Sequence, residues 1–210
     1  MSDSDSGTPH ATGTSARLQP MTEHERHVTG QLRGSDQVLF LDYDGVLHPD
    51  AVFRTKRGLE LRAPGHLLMH ASILAEILAD FPAVRISLST SWVRTLGFRR
   101  ARAVLPPALQ ARTVSATWHS SMLRAPLLGY DLQTRYEQIL SAVAAARLTS
   151  WLALDDDPQG SWPEHDPRLV RCNSQHGLAD THVQTELYNR LRQMAKNKRD
   201  RSDWPPGSIQ

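Results

Sequence analysis

Cysteine is nearly absent from this chain. The single Cys172 excludes an internal disulfide framework and a zinc site built from several cysteines. Lysine is almost as scarce, with Lys56, Lys196 and Lys198 set against 21 arginines. No stretch approaches the roughly 18–20 apolar residues that a membrane span needs. The opening residues (MSDSDSGTPHATGTSARLQP) lack the apolar block of a secretory signal. Together these absences point to a cytoplasmic protein with no membrane partner. An excess of one charge is missing too: the formal net charge is +2, too small to argue for nucleic acid by itself. Arginine is the better bidentate ligand for phosphate, but a GC-rich genome produces the same bias, and we read it as compositional.

What remains suits one globular domain. The chain has 210 residues, 40% of them hydrophobic, enough for one core with tails. Residues 1–35 read as a flexible leader: 1–20 hold almost no large apolar side chains, and 21–33 form a short polar segment. Residues 196–210 are basic and then Pro/Gly-rich, and read as a flexible tail. The domain is expected over 36–195.

Within it, short apolar runs alternate with helical patterns. Strands are expected at Gln37–Leu41, Val84–Leu88, Thr113–Thr117, Trp151–Leu154 and Leu169–Cys172. Helices are expected over His66–Ala79, Trp92–Val104, Thr134–Arg147 and Ala179–Met194. Trp92–Val104 should stop at Pro106-Pro107, and Thr134–Arg147 should put Tyr136, Ile139, Leu140 and Val143 on one face. The alternation predicts an α/β fold, a Rossmann-like parallel sheet of about five strands with helices on both faces.

In such sheets the ligand lies beyond the carboxyl ends of the strands. The first strand runs into Asp42-Tyr43-Asp44-Gly45, the second into Ser89-Thr90-Ser91, and the fourth into Asp155-Asp156-Asp157. Two acidic clusters brought to one edge repel unless a cation lies between them. Carboxylate oxygens with no cysteine nearby suit a hard ion such as Mg²⁺. Acids after a strand also cap helices, and a lone Asp-Gly makes a turn. Neither reading accounts for the whole string VLFLDYDGVL, with two acids two apart and Gly45 free to open a tight loop.

That string, extended to VLFLDYDGVLHP, resembles the first motif of the haloacid dehalogenase (HAD) superfamily, a strand followed by DxDG. The resemblance implies that Asp42 attacks phosphorus and forms an aspartyl-phosphate. It makes Asp44 the group that protonates the leaving oxygen and then activates water. It assigns the phosphoryl-holding hydroxyl of the second motif to Ser89, with Thr90 second. It implies a Mg²⁺ site drawn from Asp42, Asp44, Asp155 and Asp156, with Asp157 as a cap or supporting group. The family's third motif usually supplies a lysine, and none exists between Lys56 and Lys196. Arg135, opening the helix that leads into WLALDD, is the expected substitute, and Arg124 is the alternative. Taken with LSTSWVR, the pattern over about 37–185 is similar to the HAD domain of bacterial RNA-repair ("Swiss Army Knife") proteins.

Members of the superfamily select substrates largely with inserted cap domains. Here Asp44 and Ser89 are 45 residues apart, and that interval must already hold a helix and a strand. Only a β-flap (HPDAVFRTKRGLELRAP) fits in what is left, and only 16 residues separate Thr117 from Thr134. A capless, open site is expected, suited to a bulky phosphorylated substrate such as a nucleic-acid end or a phosphoprotein. Gly45, Thr90 and Lys56 are expected to contact substrate. Lys56, with Arg54 and Arg57, could meet a phosphate backbone, though a solvated basic hairpin looks the same. Trp92, Trp118 and Trp162 could stack on bases, but tryptophans in a domain this size usually fill the core. His48 is a candidate substrate contact. His119, His165 and His176 read as loop residues, and Cys172 as a buried strand residue.

Phosphomonoester hydrolysis is the leading function. The competing reading is a degenerate module of the same fold that binds phosphorylated ligands without turnover, favoured by the missing lysine. A phosphoacceptor signalling domain is discounted, because TVSATWHS puts no acid at the end of the third strand.

Overall fold

The structure is a computed structural model that describes residues 32–118, 133–157 and 159–202. At its centre is a five-stranded parallel sheet in the order β5-β4-β1-β6-β7. The strands are β1 (Gln37–Leu41), β4 (Val84–Leu88), β5 (Thr113–Ala116), β6 (Ser150–Asp155) and β7 (Leu169–Arg171). Covered on both faces, β1 is buried at every residue, which explains its uninterrupted apolar run. Its alternate side chains feed two separate cores. Leu39 and Leu41 join one with Ile86, Leu88, Leu152 and Leu154. Val38 and Phe40 join the other with Trp151 and Ala153.

The first core is covered by α1 (Ala71–Ala79), α2 (Trp92–Leu96), α3 (Phe98–Ala103), α4 (Pro107–Arg112) and the closing helix α6 (Thr181–Ser202). Helix α5 (Arg135–Ala146) covers the second, through Tyr136, Ile139, Leu140 and Val143 as its periodicity required. Thr134 caps α5: its hydroxyl accepts the Glu137 N–H while the Glu137 carboxylate accepts the Thr134 N–H. The flap is a two-stranded antiparallel hairpin of β2 (Val52–Thr55) and β3 (Gly58–Leu61). Among the described residues there is no cap domain and no helix long and apolar enough to cross a membrane.

The helices depart from expectation in four places. The helix expected over Trp92–Val104 is two, divided at Gly97, whose φ of 80° and ψ of 154° lie outside the helical region. Pro107 does not end a helix but starts α4, because a proline at the first helical position gives up no needed N–H. The stretch 66–70 is a chain of turns with Leu68 at φ 59°, so α1 begins at Ala71. The closing helix starts at Thr181 and runs to Ser202, past the residue 196 at which the tail was expected to begin.

Candidate active site

Backbone hydrogen bonds continue the sheet one step beyond its strands. The Ser89 N–H donates to Leu41 O at 2.8 Å, Asp42 N–H to Leu154 O at 3.1 Å, and Cys172 N–H to Asp155 O at 2.9 Å. The same ladder that aligns Leu41 with Leu88 and Leu154 thus sets Asp42 level with Ser89 and Asp155. Asp42, Asp155 and Asp156 are all buried, and one oxygen from each lies within 4.8 Å of the others. Asp155 Oδ2 and Asp156 Oδ2 are buried and accept no hydrogen bond. Gly45 takes φ 68°, and a Cβ there would overlap the Asp156 carboxylate. Its role is to let the loop after β1 pass against this acid.

Burial makes these acids reluctant to ionise. It raises Asp42 from 3.8 to about 6; Arg135 and the Tyr43 N–H oppose the shift, while Asp44 and Asp156 add to it. Burial likewise holds Asp155 well above the usual carboxylate range, with Asp42 adding to the effect. Asp156 is raised by burial too, partly offset by a hydrogen bond from Ser174. Buried, mutually repelling carboxylates with oxygens that accept no hydrogen bond are a donor set that fits a hard divalent cation.

Among the described residues, Arg135 brings a positive charge to two of these acids. Its Nη2 is 3.5 Å from Asp42 Oδ2, its Nε is 3.7 Å from Asp155 Oδ2, and its Nη1 donates to Gln138 Oε1 at 3.2 Å. Arg124 and His119 lie outside the described residues. Asp44, expected among the metal ligands, stands apart from the three-acid group. Its carboxylate accepts the Trp92 Nε1–H at 3.1 and 3.0 Å and lies 3.1 Å from His48 Nε2, with Ser91 Oγ at 3.5 Å. Asp44, Thr90, Ser91, Trp118 and Arg135 line a cleft of about 340 Å³ with the three acids. Ser89 lies beneath this surface, 1% exposed, with an Oγ that has no hydrogen-bond partner. Thr90 is on the cleft wall, and its Oγ1 accepts the Trp92 N–H.

Other expected positions fall differently. Lys56 is exposed at the turn of the hairpin and does not line the cleft. His48 is wholly buried and does not line the cleft; it lies against Asp44, to which the bridge between residues 44 and 48 brings it. Of the three tryptophans Trp118 lines the cleft, Trp92 donates to Asp44, and Trp162 packs on Tyr136 and Trp151. Asp157 also lines the cleft, where it accepts from Ser161 and pairs with Arg171 at 2.8 Å. Cys172 is buried, and its thiol is pushed far up by that burial. The sequence reading missed the Trp92–Asp44–His48 grouping; the spacing of four between Asp44 and His48 was the available signal.

One further contact ties the site to the end of the domain. A short 3-10 turn, Gly177–Ala179, precedes α6, and the Leu178 N–H donates to Val46 O at 2.9 Å. A Cβ on Gly177 would overlap that same carbonyl, so the turn lies flat on the loop that follows β1.

The family model described as the HAD domain in Swiss Army Knife RNA repair proteins matches residues 38–183. Neither the curated proteins nor the solved structures contain a match to the chain. The matched segment begins in β1, ends in the first turn of α6, and includes every acid of the cleft. With its five-stranded parallel sheet and acidic strand ends, the chain belongs to the family of HAD domains found in Swiss Army Knife RNA repair proteins.

Proposed function

We propose that this domain hydrolyses a phosphomonoester with Mg²⁺ bound, through an aspartyl-phosphate on Asp42. The observation that carries the reading is the grouping of Asp42, Asp155 and Asp156 within 4.8 Å under the guanidinium of Arg135. Mg²⁺ held by these acids would supply positive charge against the transferring phosphoryl group. An Asp42 oxygen attacks phosphorus, and the bond to the leaving oxygen breaks as Asp44 protonates it. Asp44, now a carboxylate, takes a proton from water as the water oxygen attacks phosphorus. The Asp42–phosphorus bond breaks, releasing inorganic phosphate and the original aspartate. The Ser89 hydroxyl and Arg135 hold phosphoryl oxygens, the latter with a fork that can pair two of them.

The open cleft and the lack of a cap domain among the described residues favour a bulky substrate, and the family's description favours an RNA end. The test is a panel of phosphomonoesters, including 3′- and 5′-phosphorylated oligoribonucleotides, assayed with and without Mg²⁺. Asp42→Asn should be folded and inert, since an amide has nearly the same shape but does not attack phosphorus. Turnover by that variant at a comparable rate would remove Asp42 as the nucleophile. If the wild type binds phosphorylated ligands but turns over none, the chain is a binding module.

A further inference from the structure

Asp44 has a different setting from the other acids of the cleft. Its side chain is 21% exposed, and it is gripped from behind by two buried rings. The Trp92 Nε1–H sits almost equally far from both Asp44 oxygens, at 3.1 and 3.0 Å. One hydrogen shared this way resists rotation of the carboxylate about its last torsion. His48 Nε2 lies 3.1 Å from Oδ1 only, which leaves Oδ2 as the less committed oxygen on the side of Ser91 and the cleft. His48 is fully buried, and its other nitrogen, Nδ1, has no partner, so Asp44 is the polar contact that holds this ring.

The rings are themselves anchored. Tyr43 meets Trp92 edge-on at 5.4 Å and donates its hydroxyl to Ala101 O at 2.9 Å, which ties the grouping to α3. His48 leans on the other side of Trp92 at 5.7 Å. A buried tryptophan or histidine needs a hydrogen-bond partner in any case, and a purely structural reading would stop there. That reading does not require both rings to converge on the one acid that is partly exposed in the cleft. A preorganised catalytic group does require it, because its rotamer must be locked by neighbours that do not themselves react.

We propose that Trp92 and His48 are positioning residues that fix the Asp44 carboxyl for proton transfer to the leaving group and hold it apart from the metal-binding acids. The proposal rests on the reaction proposed above. It predicts a defect that depends on the leaving group. An alkoxide is a poor leaving group and needs its proton as the bond to phosphorus breaks; a nitrophenolate does not. The second step, in which Asp44 activates water, is the same for every substrate.

The experiment compares ethyl phosphate with p-nitrophenyl phosphate for wild type, Trp92→Phe, His48→Gln, His48→Leu and Asp44→Asn, with melting temperatures measured alongside. For Trp92→Phe, kcat/KM on ethyl phosphate should fall on the order of a hundredfold, within the range general acid catalysis supplies. On the aryl ester kcat/KM should change by less than about threefold, since no proton is needed up to phenolate departure. Steady-state kcat on the aryl ester should drop, and a burst of about one nitrophenolate per site should appear as the aspartyl-phosphate accumulates. Asp44→Asn should give the same pattern more strongly. His48→Gln, which keeps an N–H near the Nε2 position, should recover rate that His48→Leu loses. A Trp92→Phe protein that lowers kcat/KM equally for both esters, with no burst, overturns the positioning role while leaving hydrolysis intact. Should Trp92→Phe not fold, the two His48 variants decide in the same way. A folded wild type inert on both esters overturns instead the reaction on which the proposal rests.

Discussion

Arg135 and Asp42 are 93 residues apart in the chain, yet Nη2 of one lies 3.5 Å from Oδ2 of the other. The same guanidinium faces Asp155 at 3.7 Å, so one cation spans the ends of two adjacent strands. If it stands in for the lysine usual in this superfamily, its charge matters most when phosphoryl charge is redistributed. Arg135→Ala should lower kcat on the order of a hundredfold, the scale of losing one preorganised electrostatic contact. Arg135→Lys should restore part of the rate, as a point charge without the fork. Arg124→Ala should do much less. A crippled Arg124→Ala beside an active Arg135→Ala would move the role to Arg124.

Gly45 tests the metal group without touching an acid. Alanine there combines a left-handed φ of 68° with a Cβ that overlaps the Asp156 carboxylate. The strain alone should cost more than about 1 kcal/mol. Displacing Asp156 should also weaken Mg²⁺ affinity, measured by calorimetry, by a factor greater than the loss of stability explains. Unchanged Mg²⁺ affinity would remove Asp156 from the ligand set.

Protonation gives a third test. Asp42 titrates near 6 in the folded chain against an ordinary 3.8, so between those values the folded state binds more protons than the unfolded one. The contribution of this group to stability is therefore complete below about pH 4 and is lost as pH rises through 6. Without metal, the melting temperature should carry a declining component across that window, and Asp42→Asn should reduce it, leaving the share that the raised Asp155 and Asp156 contribute. Mg²⁺ needs the ionised acids, so its binding should weaken as pH falls below about 6 and should release protons when measured near that pH. A metal affinity flat from pH 5 to pH 7 would contradict the ligand assignment.

The two hydroxyls after β4 can be separated. Ser89 is level with Asp42 and has no partner for its Oγ, while the Thr90 Oγ1 is already engaged by the Trp92 N–H. Ser89→Ala should lower kcat/KM with little effect on the melting temperature. Thr90→Val should cost stability more than rate. The reverse pattern would transfer the phosphoryl contact to Thr90, which lines the cleft.

The parts of the fold written in unbroken apolar runs were readable from the sequence. Gln37–Leu41 and Val84–Leu88 are largely buried strands that run straight into acids and hydroxyls at their carboxyl ends, so the strands and the cluster beyond them came together. The helix breaks were less visible. Gly97 reads as a tolerable interior glycine until its φ is known, and Pro107 reads as a stop until its place at the start of α4 is seen. His48 and Trp92 were legible least of all. Beyond the spacing of four between Asp44 and His48, the grouping is decided by packing between the loop after β1 and the first turn of α2, which composition does not record.

The turn at Gly177 lies against the carbonyl of Val46, four residues past Asp42. Asp42 and Asp44 are thus made well before the turn that closes over their loop. At roughly 5–20 residues per second a ribosome takes on the order of ten seconds to get from one to the other. Within that interval β1 first gains β4 on one side and only later β6 on the other. The surface that closes over the loop after β1 is thus supplied only after both flanking strands have been made, and a chain cut short before that turn lacks the Leu178 contact to Val46.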